Sequence, residues 1–195
     1  IRSMSGRIQG FGGRTLSSYK KTAKYINSPE SDIYHKSKTL YGLFEAKKSI
    51  AQENSCYLVE GYTDVIQMHQ SGIENVVSSS GTALSSDQIR LIKRLTNNIV
   101  VLFDSDSAGI RAALRGVDLI LEQGLNVRVC TFPEGEDPDS FAKSNNHLVL
   151  KNFLIDNSKD FIQFKAKLLL DESDNDPVKK ASTVRDIIES ISKIP

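Results

Sequence analysis

The sequence predicts an α/β fold: a parallel sheet flanked by helices, with part of a small basic α+β subdomain before it and a helical subdomain after it. Three observations predict this. In Asn98-Ile99-Val100-Val101-Leu102-Phe103, five apolar residues run consecutively into Asp104, the pattern of a strand buried on both faces. Strand-like and helix-like segments alternate between Cys56 and Phe132, as parallel strands with helical crossovers require. Charge is divided along the chain. Residues 1–50 carry ten Lys/Arg against three acids, and the remainder carries 15 against 21, beneath a net charge of only +1. A basic portion followed by an acidic one suggests a polyanion surface beside a metal-binding surface; a merely solvated basic face is the alternative.

The elements follow in order. Ile1-Arg2 reads as the end of a strand and Met4-Ser5-Gly6-Arg7 as a turn, from which a Gly-rich strand returns over 7–16. Residues 17–37 read as loop. Leu40, Leu43, Phe44 and Ile50 fit a helix over 38–51. Cys56–Glu60 is a strand. Thr63–Ser71 is a helix with Thr63 placed to cap it and Gly72 beyond its end. Asn75–Ser78 is a short strand. Ser85 and Gln88 stand at capping-box spacing at the start of a helix running to Leu95. After the strand Ile99–Phe103 comes a helix over 106–123, with Ile110, Leu114, Val117 and Leu121 on one stripe and Gly124 ending it. Val127–Phe132 is a further strand. Beyond Pro138 the pattern is wholly helical: Ser158–Leu170 carries Phe161, Phe164 and Leu168, and Pro177 opens a last helix. This divides the chain into 1–51, 52–145 and 146–195. An apolar strand cut short at Ile1 and a helix running into Pro195 are expected of a fragment.

Composition narrows the function classes. The chain has 195 residues and 39% hydrophobic content, and no stretch approaches the roughly 20 apolar residues of a membrane span. Cys56 and Cys130 are isolated in apolar contexts and form no zinc spacing, so a reducing, intracellular setting is expected. His35, His69 and His147 are scattered and receive no role.

The residues with chemistry are acidic. Glu60 ends a strand and is followed by Gly61 and Asp64; Asp104 and Asp106 follow the buried strand; Asp137 and Asp139 stand in Glu134-Gly135-Glu136-Asp137-Pro138-Asp139. Parallel strands present their carboxyl ends on one side, where open α/β sheets bind ligands. Carboxylates gathered there repel one another, and hard divalent cations such as Mg²⁺ relieve that repulsion and serve phosphate chemistry. Each part has a structural reading as well. An Asp-x-Asp after an apolar strand is widespread, Glu60 alone is a strand-end acid of the kind more often solvated than functional, Asp137 fits a helix cap, and Asp64 and Asp139 suit the positive ends of helices. Glu-Gly after one strand with Asp-x-Asp-x-x-Gly after a later one is far more specific than any part. Ser79-Ser80-Gly81-Thr82-Ala83 is a β–α loop whose backbone could face an anion. In the basic third, Arg14 follows Gly-Phe-Gly-Gly, Lys24 precedes Tyr25 and Lys36 follows Tyr34-His35. Cations interleaved with aromatics suit single-stranded nucleic acid or a nucleotide; Tyr25 and Tyr34 as packing residues beside ordinary surface lysines is the alternative.

Val59-Glu60-Gly61-Tyr62-Thr63-Asp64-Val65 and Leu102-Phe103-Asp104-Ser105-Asp106-Ser107-Ala108-Gly109 resemble the Toprim domain of topoisomerases and primases. Gly10-Phe11-Gly12-Gly13-Arg14, Lys24-Tyr25-Ile26-Asn27-Ser28-Pro29-Glu30 and Tyr41-Gly42-Leu43 resemble the segment preceding Toprim in bacterial primases of the DnaG type, as do the Ser79–Leu84 and Glu136–Asp139 motifs. The resemblance covers roughly residues 6–145. It implies a Toprim-like fold and a cytoplasmic replication enzyme, a DNA-directed RNA polymerase making short primers. Its implied partners are a single-stranded DNA template, ribonucleoside triphosphates and the RNA primer. It implies catalytic Glu60, Asp104 and Asp106 holding Mg²⁺ or Mn²⁺, with Asp64, Asp137 and Asp139 assisting. Arg14, Lys24, Lys36 and Asn27 would contact template or nucleotide. Zinc would belong to an N-terminal domain, and contact with the replicative helicase to a C-terminal one; neither is expected within these residues. A Toprim topoisomerase and a non-catalytic Toprim binding module are the alternatives.

Overall fold

A computed structural model describes residues 1–14, 25–80, 83–103, 107–172 and 176–195. In chain order, β1 (Gly12–Arg14) and β2 (Tyr25–Asn27) form a small antiparallel ribbon, followed by a 3₁₀ turn at Lys36–Lys38 and α1 (Leu43–Glu53). Then come β3 (Cys56–Val59), α2 (Tyr62–Gln70), β4 (Val76–Ser78), α3 (Ser86–Lys93), β5 (Asn98–Phe103), α4 (Ser107–Glu122) and β6 (Asn126–Thr131). The chain ends through α5 (Pro138–Ser144), α6 (His147–Asn157), β7 (Lys159–Asp160), α7 (Phe161–Glu172) and α8 (Pro177–Ser192).

The main sheet has the order β4-β3-β5-β6-β7. Its first four strands are parallel, with Leu58 opposite Val101 and Val101 opposite Val129. β5 lies at the centre, and Ile99 to Phe103 are all buried, as a strand covered on both faces demands. One face packs Leu58, Ile99, Val101 and Phe103 with Ile50, Ile89, Ile120 and Phe161. The other packs Val59, Val100, Leu102 and Cys130 with Met68, Leu150 and Leu154. Phe161, which opens α7, thus belongs to the core of the sheet. Among the described residues, no helix is long and apolar enough to cross a membrane.

The expected elements need four corrections. The strand expected over 7–16 is β1 alone among the described residues, joined by an isolated Arg2–Ile8 bridge. The loop expected over 17–37 contains β2, which pairs Asn27 with Gly12. The stretch after Pro138 is not wholly helical, because Lys159-Asp160 pairs antiparallel with Val129 and Arg128. Both residues of β7 are exposed and polar, so only the open edge of β6 draws them into a strand. Finally, Thr63 does not cap α2. The helix begins at Tyr62, and the Asp64 carboxylate accepts the Gly61 N–H at 2.9 Å. The box at Ser85 forms as expected: Ser85 Oγ accepts the Gln88 N–H at 3.1 Å, and Gln88 Oε1 accepts the Ser85 N–H at 3.0 Å.

The two thiols and one phenol make a prediction about pH. Burial pushes Cys56 up, Cys130 up to about 11 and, with Tyr62 beside it, Tyr34 up to about 12. The native state keeps these protons after the unfolded chain begins to lose them near pH 9. Stability is therefore expected to be full below about pH 9 and to fall as pH rises toward 11. Urea midpoints at pH 8 and pH 10 will test this, and both thiols should resist aromatic disulfides until the protein unfolds.

Candidate nucleic-acid and metal site

The carboxyl ends of β3 and β5 lie side by side on the same side of the sheet, because the two strands are parallel and adjacent. β3 runs out into Glu60, whose side chain is exposed. Among the described residues, no hydrogen bond or ion pair engages the Glu60 carboxylate. β5 runs out at Phe103; Asp104 and Asp106 lie outside the described residues. Within the described residues, no group of three or more His, Cys, Asp or Glu side chains gathers to hold a metal.

The remaining acids already have structural partners. Asp64 Oδ2 holds the Gly61 N–H, stiffening the backbone directly after Glu60. Asp137 caps α5, accepting the Ser140 N–H at 2.7 Å with Pro138 in the first helical position. Asp139 lies in the first turn of α5 and pairs with Lys143 at 2.5 Å. The Asp137 cap is the structural reading the sequence allows.

The basic portion docks on the edge of the sheet beside β4. Tyr41 and Ser78 exchange backbone hydrogen bonds at 3.0 and 3.1 Å. Gly42 adopts φ +81°, and a Cβ there would lie 2.7 Å from Val65 Cγ1, so only glycine lets the chain pass so close to α2. Arg14 ends β1, paired across the ribbon with Tyr25. Lys24 lies outside the described residues. Lys36 is held through its backbone: its N–H donates to Glu30 Oε1 at 2.9 Å, and its carbonyl accepts from Gln88 Nε2 at 2.9 Å. That same Lys36 N–H, and His35 at 3.1 Å, hold the Glu30 carboxyl below its ordinary range.

Asn27 sits deeper than a surface contact would. Its Oδ1 accepts the Tyr62 hydroxyl at 2.5 Å, and its Nδ2 donates to the Ser80 carbonyl at 3.3 Å. In the sequence, Tyr62, Ser80 and Gln88 show no such reach. Tyr62 and Ser80 fall inside recognisable motifs, but nothing in a linear sequence signals that those motifs touch.

Comparison with known proteins decides the family. Residues 57–142 match the Toprim-like family, and residues 1–47 match the N-terminal domain of the DNA primase catalytic core. A DNA primase of Clostridium acetobutylicum is 39% identical over 190 residues, or 97% of this chain and 30% of the relative. The chain belongs to the DNA primase family. A DNA primase domain from Pseudomonas aeruginosa superposes with a TM-score of 0.89 at 36% identity, over all of this chain and 61% of that one. A DnaG primase catalytic domain bound to single-stranded DNA superposes at 0.86 with 35% identity, over all of this chain and 63% of that one. The primase chain spans about a third of the length of the curated relatives it matches. The match over residues 1–47 disfavours the topoisomerase and binding-module alternatives, since Toprim alone would not bring it.

Proposed function

We propose that this chain is the metal- and template-handling part of an RNA polymerase that makes short primers on single-stranded DNA during replication. The observation that carries the reading is the position of Glu60. Its exposed carboxylate, which has no hydrogen bond or ion pair among the described residues, stands at the carboxyl edge of the sheet, next to the strand that leads into Asp104, and the basic portion is fastened to the same sheet. An exposed oxygen donor of this kind fits a hard divalent cation. Glu60, Asp104 and Asp106 would hold Mg²⁺ or Mn²⁺, with Asp64, Asp137 and Asp139 assisting. Bound there, such a cation would supply charge stabilisation at the α-phosphate and leaving pyrophosphate and acidity at the primer 3′-hydroxyl.

The chain's own residues carry the rest. Arg14, Lys24 and Lys36 attract the template or the nucleotide phosphates, and the bonds from Glu30 and Gln88 fix the backbone that carries Lys36. Asp64 keeps Gly61 from drifting, and so holds Glu60 at the strand end. The test is binding of a single-stranded oligonucleotide across a salt series. Arg14→Ala and Lys24→Ala should each weaken binding and flatten the log–log salt slope by about 0.7 for each phosphate that is no longer neutralised. Binding indifferent to salt and to both substitutions would reduce the basic portion to a solvated face and sink the reading.

A further inference from the structure

Three motifs far apart in the sequence meet at one hydrogen-bonded node. Asn27 comes from the basic ribbon. Tyr62 opens α2, two residues after Glu60, and Ser80 belongs to the loop between β4 and α3. The Ser80 carbonyl can only accept, so it turns the Asn27 amide nitrogen toward itself and leaves Oδ1 for the Tyr62 hydroxyl. The Tyr62 ring is buried and packs edge-on against Tyr41, with ring centres 4.6 Å apart. β1 closes over the same ring: a Cβ on Gly12 would lie 2.6 Å from it. Ser80 adopts φ +65°, an uncommon backbone for a non-glycine residue, at the point where its carbonyl meets Asn27.

We infer that Tyr62 is a positioning residue whose hydroxyl, through Asn27, latches the basic ribbon at a fixed distance from the Glu60 edge. The inference rests on the function proposed above. A template gripped by one portion reacts at the sheet edge of another only if the two are held in place, and small misplacements are costly. Between Tyr62 and Glu60 stands only Gly61, itself pinned by Asp64, so the latch is short and stiff. On this reading Asn27 acts on the template by holding β2, rather than by touching nucleic acid.

The test compares the unsubstituted chain, Tyr62→Phe, Asn27→Ala and the double variant. Tyr62→Phe keeps the ring that Gly12 and Tyr41 pack against and removes only the hydroxyl. It is expected to weaken single-stranded DNA binding about threefold or more, because the hydroxyl that bonds Asn27 also bonds Tyr34 and Ser80. Asn27→Ala also removes the bond to the Ser80 carbonyl and should weaken binding at least as much, and the double variant should fall short of the sum of the two, because they share the Tyr62–Asn27 bond. Mn²⁺ affinity should not change. Spin labels at Ile26→Cys and Gln70→Cys, both exposed, report the distance directly, since native Cys56 and Cys130 are buried. Their distance distribution should broaden in Tyr62→Phe. Loss of binding in Asn27→Ala with none in Tyr62→Phe would overturn the inference, because the Tyr62 hydroxyl would then carry no part of the latch. An unbroadened distribution would overturn it too. If the unsubstituted chain binds no single-stranded DNA, the proposed function fails, and the spin-label distances alone decide the latch.

Discussion

Asp104→Asn in the intact primase is expected to lower primer synthesis by on the order of 10²- to 10³-fold, with the protein still folded. The exchange keeps the shape of the side chain and removes its charge, so it acts on a cation and hardly on packing. Glu60→Gln should do the same, because the Glu60 carboxylate has no structural partner to lose among the described residues. Asp137→Asn makes the instructive contrast. Asn is also a good helix cap, so the bond to the Ser140 N–H can survive. If Asp137 only caps α5, Asp137→Asn leaves synthesis within about twofold, whereas Asp137→Ala costs about 1 kcal/mol of stability. Mn²⁺ titration followed by electron paramagnetic resonance separates metal loss from any other defect. Primer synthesis unchanged in both Asp104→Asn and Glu60→Gln would remove these residues from the chemistry.

How legible each part is in the sequence follows from how local its cause is. β3 and β5 announce themselves because strands covered by helices on both faces are largely apolar, and β6 because buried Val127 and Val129 alternate with exposed Asn126 and Arg128. The box at Ser85 and Gln88 is legible because both partners lie within one turn. β2 and β7 are not, because three and two residues carry no periodicity and their pairing comes from a neighbouring edge. The start of α2 is hidden for a related reason: Thr63 has a cap's chemistry, but Asp64 reaches back to Gly61 first. In the candidate site, Glu60 is legible at its strand end. The node is not, since its bonds join positions 35 and 53 residues apart. Asn27 accordingly reads as a surface contact in the sequence and stands as a part-buried bridge in the fold.

Gln88→Leu is expected to destabilise the protein by about 3 kcal/mol or more, from a polar group that a linear reading sees only as half of a cap. Gln88 is fully buried. Besides closing the box with Ser85, its Nε2 donates to the carbonyls of Lys36 and Thr39, at 2.9 and 2.8 Å. Leucine fills much the same volume but satisfies none of them: the Ser85 N–H and the Thr39 carbonyl lose Gln88, while the Lys36 carbonyl keeps the Thr39 N–H at 3.3 Å; each buried group left without a partner costs about 1–3 kcal/mol. Gln88→Glu should be no milder, because a carboxylate can only accept and would face two carbonyls. Asp87→Ala, one position away, removes an exposed pair with Arg90 and should cost under about 1 kcal/mol. Urea unfolding at constant slope will measure all three. The loss should also reach function, because the backbone of Lys36 is pinned to α3 through this amide. In conditions where Gln88→Leu remains folded, single-stranded DNA binding should weaken while Mn²⁺ binding at the Glu60 edge holds. A destabilisation below about 1 kcal/mol would mean that water replaces the amide at no great cost, and Gln88 would then not be what fastens the basic portion to the sheet domain.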